Sequence, residues 1–100
     1  MAKELDLNAS GIKDLSFELG KSHDNLFLLF AANQNGKALL SCYVSKALVS
    51  NKGLNAGQIV KDLGKYIHGG GGGQAFYATA GGKHPEGIKE ALEAAKHYLD

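Results

Sequence analysis

Residues His68–Lys83 read HGGGGGQAFYATAGGK, and this stretch holds seven of the chain's 14 glycines. Glycine inside regular structure costs about 0.5–1 kcal/mol relative to alanine, so the run Gly69–Gly73 needs a physical cause. Either another group comes close to the backbone here, or the run is a flexible connector. The following Gln74–Ala80, QAFYATA, is rich in aromatic and small residues and reads as a short strand. Gly81-Gly82-Lys83 then leads into His84-Pro85-Glu86, where a proline and a neighbouring acid mark a helix start. A strand, a glycine turn and a helix N-terminus expose backbone N–H groups to a phosphate, with Lys83 to neutralise it. The pentaglycine joins the strand at its other end, so the two glycine runs need not share a site.

Two familiar phosphate motifs fail on spacing or context. In a Walker A loop the lysine is followed by Ser or Thr; here His84 follows Lys83, and Tyr77 stands where the first glycine is required. The dinucleotide fingerprint fits only in its alanine-ended form, at Gly70, Gly72 and Ala75. It then follows a helix and precedes a strand, the reverse of the context it needs.

Working outward, Ile12, Leu15, Phe17 and Leu19 in residues 9–22 give a moderate helical stripe, weakened by Gly11. Leu26–Ala32 is continuously apolar, as expected of a central strand covered on both faces. Asn35-Gly36 between two apolar runs is a hairpin signal, because a type I′ turn wants positive φ at both central residues. KALLSCYVSKAL follows as a second strand, and NKGLNAG as a loop. Asn55 with Gln58 three positions on resembles a capping box, and Ile59, Leu63 and Tyr66 or Ile67 form one face of a helix. In the last segment Ile88, Leu92, Ala95 and Leu99 recur at helical spacing. The expected fold is an α/β sandwich of order α-β-β-α-β-α, with a sheet of about three strands and helices packed on it. Residues 1–8 read as an N-terminal linker and 9–100 as a single domain.

At 100 residues and 44% hydrophobic, the chain suits one small domain with a real core. No apolar run approaches the ~20 residues of a membrane span, and the polar opening MAKELDLN does not read as a signal peptide. A single cysteine, Cys42, excludes an internal disulfide; a cytoplasmic module with no membrane partner is expected. Net charge is only +1, but Lys52, Lys61, Lys65 and Lys83 stand against one acid, Asp62, in the segment that contains the glycines. All eleven basic residues are lysine. Lysine meets phosphate as a point charge, whereas bidentate reading of guanine falls to arginine, so a nucleic-acid partner would be held by backbone and shape.

Catalytic arrangements are thin. His23, His68, His84 and His97 lack metal-ligand spacing, and the acids form no defensible pair. Cys42 lies in a predicted strand and reads as a small buried hydrophobe. No catalytic residue, metal ligand or cofactor site is assigned.

The combination of a glycine run, a short strand, A-x-AGGK and a helix resembles the glycine-rich signature of the DHH-associated domain. It is most similar to the globular C-terminal domain of alanyl-tRNA synthetases. The likeness extends to Asn35–Lys37, to Val44–Leu63 and to Gly87–Leu92, covering the chain from about Ala9 onward. It implies a domain that grips the elbow of alanine-specific tRNA and helps couple aminoacylation with editing. The chemistry, with its ATP and zinc, would lie in other domains of the parent synthetase, which are themselves expected partners. Self-association as a homodimer is a further expectation, and the strand residues from Lys37 to Ser45 would supply an exposed edge for it. The same domain type also serves DHH-type phosphoesterases, where the loop would hold a nucleotide substrate. Candidate RNA contacts are Lys61, Lys65, His68, Gly69, Gly70, Gly71, Gly72, Gly73, Gln74, Gly81, Gly82, Lys83 and His84. Phe76 and Tyr77 are candidate stacking residues, although strand aromatics more often belong to a core. Many relatives carry Arg-Pro where Gln74-Ala75 stand here, so a phosphate contact by that arginine does not transfer.

Overall fold

The computed structural model describes residues 2–99. A five-stranded sheet runs in the order β1-β2-β3-β5-β4. Its strands are β1 (Ala2–Glu4), β2 (Phe27–Gln34), β3 (Lys37–Val44), β4 (Gly69–Gly73) and β5 (Tyr77–Gly82). Four helices accompany it: α1 (Ala9–Lys21), α2 (Lys46–Lys52), α3 (Ala56–Gly64) and α4 (Ile88–Ala95). Three single 3₁₀ turns, at Lys65–Ile67, Pro85–Gly87 and Lys96–Leu99, complete the order. Among the described residues no helix is long and apolar enough to cross a membrane.

The centre of the sheet follows from the apolar runs. Phe27 to Ala32 are all buried, because alternate side chains of β2 feed two separate cores. Leu29 and Ala31 join Leu40, Cys42, Ile59, Leu63, Ile88 and Ala91 beneath α2, α3 and α4. Leu28, Phe30 and Ala32 meet Ile12 under α1, with Leu15 and Leu19 packed around them. The hairpin turn adopts the expected signs, φ 55° at Asn35 and 85° at Gly36. Helix caps are equally local. Asn8 Oδ1 accepts from Gly11 N at 2.8 Å, and Asn55 Oδ1 from Gln58 N at 3.1 Å. Only half of the capping box forms, since Gln58 Nε2 donates to Asp62 instead.

The structure corrects the sequence reading at several points. The sheet has five strands, not about three. Ala2–Glu4, expected to be linker, pairs in parallel with β2 from Ala2↔Leu29 to Glu4↔Ala31. Lys46–Lys52 is a helix stopped by left-handed Gly53 (φ 66°), where a continued strand and a loop were expected. The expected strand Gln74–Ala80 starts later, at Tyr77, and takes in Gly81 and Gly82. β3 lies between β2 and β5, so Lys37 to Ser45 is no free edge for dimerisation. In α4 the deeply buried positions are Ile88, Ala91 and Ala95, with Leu92 half-buried. The Leu99 side chain lies outside the described residues.

Candidate RNA-binding surface

The largest correction concerns the glycines themselves. Gly69–Gly73 is neither loop nor connector but strand β4, antiparallel to β5 from Gly69↔Gly82 to Gly73↔Ala78. The two glycine runs therefore lie side by side in one surface. Gly81 and Gly82 are paired on both sides, to β3 and to β4, so no glycine turn presents free N–H groups there. The expected glycine turn is therefore strand, and a 3₁₀ turn, Pro85–Gly87, stands between it and α4.

What approaches the glycine backbone is the domain's own structure. A Cβ at Gly69 would collide with Gly81 O, one at Gly71 with Thr79 O, and one at Gly73 would stand 2.7 Å from Tyr77 O. Helix α3 closes in from another side. Cβ atoms at Gly57 and Gly64, two turns apart, would each stand 3.1 Å from a β4 carbonyl oxygen, that of Gly73 and that of Gly69. The first N–H groups of α3 are consumed by the β4–β5 hairpin. Ala56 N donates to Ala75 O at 2.8 Å and Gly57 N to Gln74 O at 3.2 Å. The start of α3 is therefore capped by protein and offers an anion no open donors.

The candidate contacts distribute around this hairpin. Gly69, Gly70, Gly71, Gly73, Gln74 and Gly81 are exposed, and Gly72 and Gly82 half-exposed. His68, left-handed at φ 54°, stacks on His84 with ring centroids 4.1 Å apart and planes within 9°. The pair sits where Gly69 meets Gly82, and the Glu86 carboxylate stands 3.6 Å from His84 Nδ1. Lys83 follows directly and lines a shallow groove with Lys37, Gln34, Leu39, Gly81 and Gly82. Lys61 reaches the other end of the strand, its Cε 4.0 Å from where a Gly72 Cβ would be. Lys65 places its Nζ over the Tyr66 ring, 5.3 Å from the centroid.

Of the two aromatics, Phe76 is 40% exposed in the hairpin turn. Tyr77 is committed to packing: its ring meets Phe17, Lys13 Nζ lies 5.9 Å above it, and its hydroxyl hydrogen-bonds Ser41 Oγ at 2.8 Å. Cys42 is fully buried, and burial pushes its thiol up to about 12. Sequence reasoning missed Lys37 and Lys13. The available signal for Lys37 was strand parity, since Lys37, Leu39 and Ser41 alternate on one face of the hairpin strand.

The fold and this glycine hairpin define a recognised class: the model of the DHHA1 domain matches residues 2–100, and the chain belongs to that family. Within the family, the likeness is to alanine–tRNA ligases. The enzyme of Christiangramia forsetii is 64% identical over 99 residues, covering 99% of this chain and 11% of that protein. That of Flavobacterium psychrophilum is 44% identical over 99 residues, again 99% of this chain and 11% of that protein. The chain thus spans about a tenth of the length of these relatives. The crystal structure of the C-Ala domain from Aquifex aeolicus alanyl-tRNA synthetase superposes with a TM-score of 0.84 at 28% identity, over 96% of this chain and 84% of that one.

Proposed function

We propose that the chain is the tRNA-binding C-terminal domain of an alanine–tRNA ligase, that it grips the elbow of alanine tRNA, and that it helps bring aminoacylation and editing to bear on one tRNA. In this reading the domain is not catalytic. The ligase chemistry, with ATP and zinc, belongs to other domains of a cytoplasmic parent enzyme, and those domains are its protein partners. The observation that carries the proposal is the convergence of both glycine runs, the stacked His68–His84 pair and Lys83 on one exposed hairpin surface. Such a surface lets a bulky polyanion approach the backbone with lysine at its margin. Recognition by shape and phosphate suits a chain whose basic residues are all lysine. The likeness to alanine–tRNA ligases supports alanine tRNA as that RNA.

The test is fluorescence anisotropy of an alanine-tRNA transcript with the 100-residue chain at several salt concentrations. Four or five lysine–phosphate contacts predict a slope of log K against log salt of roughly −3 to −4. Lys83→Glu with Lys61→Glu should weaken binding at least tenfold at low salt, and disruption of the tRNA elbow should do the same. Binding indifferent to the elbow and to both lysines would overturn the proposal.

A further inference from the structure

Helix α1 covers its face of the sheet only in part. Ile12, Leu15 and Leu19 pack over β2 and β3, and Phe17 and Lys13 reach as far as Tyr77 at the start of β5. Beyond Tyr77, the same face carries Thr79 and Gly81 and, by register, Gly72 and Gly70. Here nothing lies on the sheet. A Cβ at Gly70 would meet no atom within 4 Å; at Gly72 the nearest is Lys61 Cε at 4.0 Å, and at Gly81 it is Ala38 O at 3.9 Å. None of these three glycines has positive φ. The fold demands glycine at 69, 71 and 73, but neither sterics nor backbone conformation demands it at 70, 72 and 81. Glycine in a strand interior weakens it, so the fold does not account for these three.

The margin of this bare face is cationic. Lys37 and Lys83 share the groove beside Gly81, no carboxylate lines that groove, and Lys61 stands at Gly72. The floor offers only the Thr79 hydroxyl as a donor, because strand N–H groups lie in the plane of the sheet and β5 is paired on both sides. A phosphate alone would find a single donor on the floor. A planar group with phosphates beside it matches both parts, the flat peptide surface and the lysines around it. We infer that the uncovered half of the sheet seats an unpaired nucleotide of the bound RNA, with its base or ribose face against the peptide planes of Gly70, Gly72 and Gly81 and its flanking phosphates on Lys37, Lys61 and Lys83. This rests on the RNA reading above and adds the face used and the part of the nucleotide that touches it. The positive margin favours RNA over a peptide or a second copy of the chain.

The test is the triple variant Gly70→Ala, Gly72→Ala, Gly81→Ala, measured for melting temperature and for affinity to the alanine-tRNA transcript. A melting temperature at or above that of the unaltered chain is expected, together with affinity reduced at least tenfold at low salt. Transcripts with 2-aminopurine at unpaired elbow positions, one at a time, should include one whose fluorescence responds to the unaltered chain and not to the variant. Equal affinity of variant and unaltered chain would overturn the inference and leave RNA binding intact. No RNA binding by the unaltered chain would overturn the RNA reading itself. If sedimentation shows self-association that the triple variant abolishes, the face belongs to a second copy and the inference falls. Should the triple variant fail to fold, Lys37→Gln with Lys83→Gln carries the test: a folded protein must lose both the affinity and the 2-aminopurine response, and retention of both overturns it.

Discussion

The two halves of the sheet are built on opposite terms. β2 and β3 are covered on both faces, and their stability comes from large side chains such as Phe30, Leu28 and Leu40. Beyond Tyr77, β4 and β5 are covered on one face only, and β4 is held by backbone against backbone, with helix α3 lying on its glycines through glycines of its own. In the first half, burial of apolar surface specifies the structure. In the second, close approach specifies it, and adding an atom does more harm than removing one. A sheet that places its bulk in one half can leave a bare, cation-rimmed surface on the other.

Truncation and addition should therefore have opposite effects in the two halves. The largest effect is expected where the covered half loses a side chain. Phe30→Ala should destabilise by about 3–5 kcal/mol in urea unfolding, since a fully buried aromatic leaves a cavity between α1 and the sheet. A loss under about 1 kcal/mol would break the comparison. Next, a single added methyl in the open half, Gly71→Ala, should cost about 3 kcal/mol because it strikes the Thr79 carbonyl and has nowhere to relax. The same methyl one residue along, Gly72→Ala, should be neutral or stabilise by up to about 1 kcal/mol. Equal costs at 71 and 72 would refute the parity argument.

A pH titration sharpens the contrast further. Burial raises the Cys42 thiol from its ordinary 9.0 to about 12. The folded state then binds more protons than the unfolded one above pH 9, so stability is full below pH 9 and falls as pH rises toward 12. The slope from this one group is at most about 1.4 kcal/mol per pH unit, and Cys42→Ala should remove it. The smallest effect is at the C-terminal turn, where the Tyr98 hydroxyl donates to Asp62 Oδ2 at 3.0 Å. Tyr98→Phe should cost about 1 kcal/mol in the same urea experiment.

The covered half was legible in the sequence and the open half was not, for one physical reason. Leu26–Ala32 announces a central strand by apolarity, and Asn35-Gly36 announces its turn by the positive φ both residues adopt. Pattern reading depends on side chains, and a glycine strand has none. Its β-structure is imposed by α3 and β5 closing on the backbone, a tertiary effect that overrides glycine's poor strand propensity. The extension of β5 through Gly81 and Gly82 is likewise tertiary, since both residues pair with β3 on one side and β4 on the other. β1 was missed because three residues, AKE, carry too little pattern to identify a strand. Among the candidate contacts, His68, Lys83 and His84 come together at one end of the hairpin, and Lys61 stands at the other. Lys37 joins them only through strand pairing that no local motif reveals.

The central claim, that the bare half of the sheet faces the RNA, is tested most directly by a ¹H–¹⁵N titration of the labelled chain with alanine tRNA. Glycine amides resolve well in such spectra and report this surface residue by residue. The account predicts that the largest shifts or broadening fall on Gly70, Gly72, Thr79, Gly81 and Lys83, with Lys89 and Glu93 on α4 unaffected. Perturbations concentrated on α4, with the glycine amides unmoved, would contradict it.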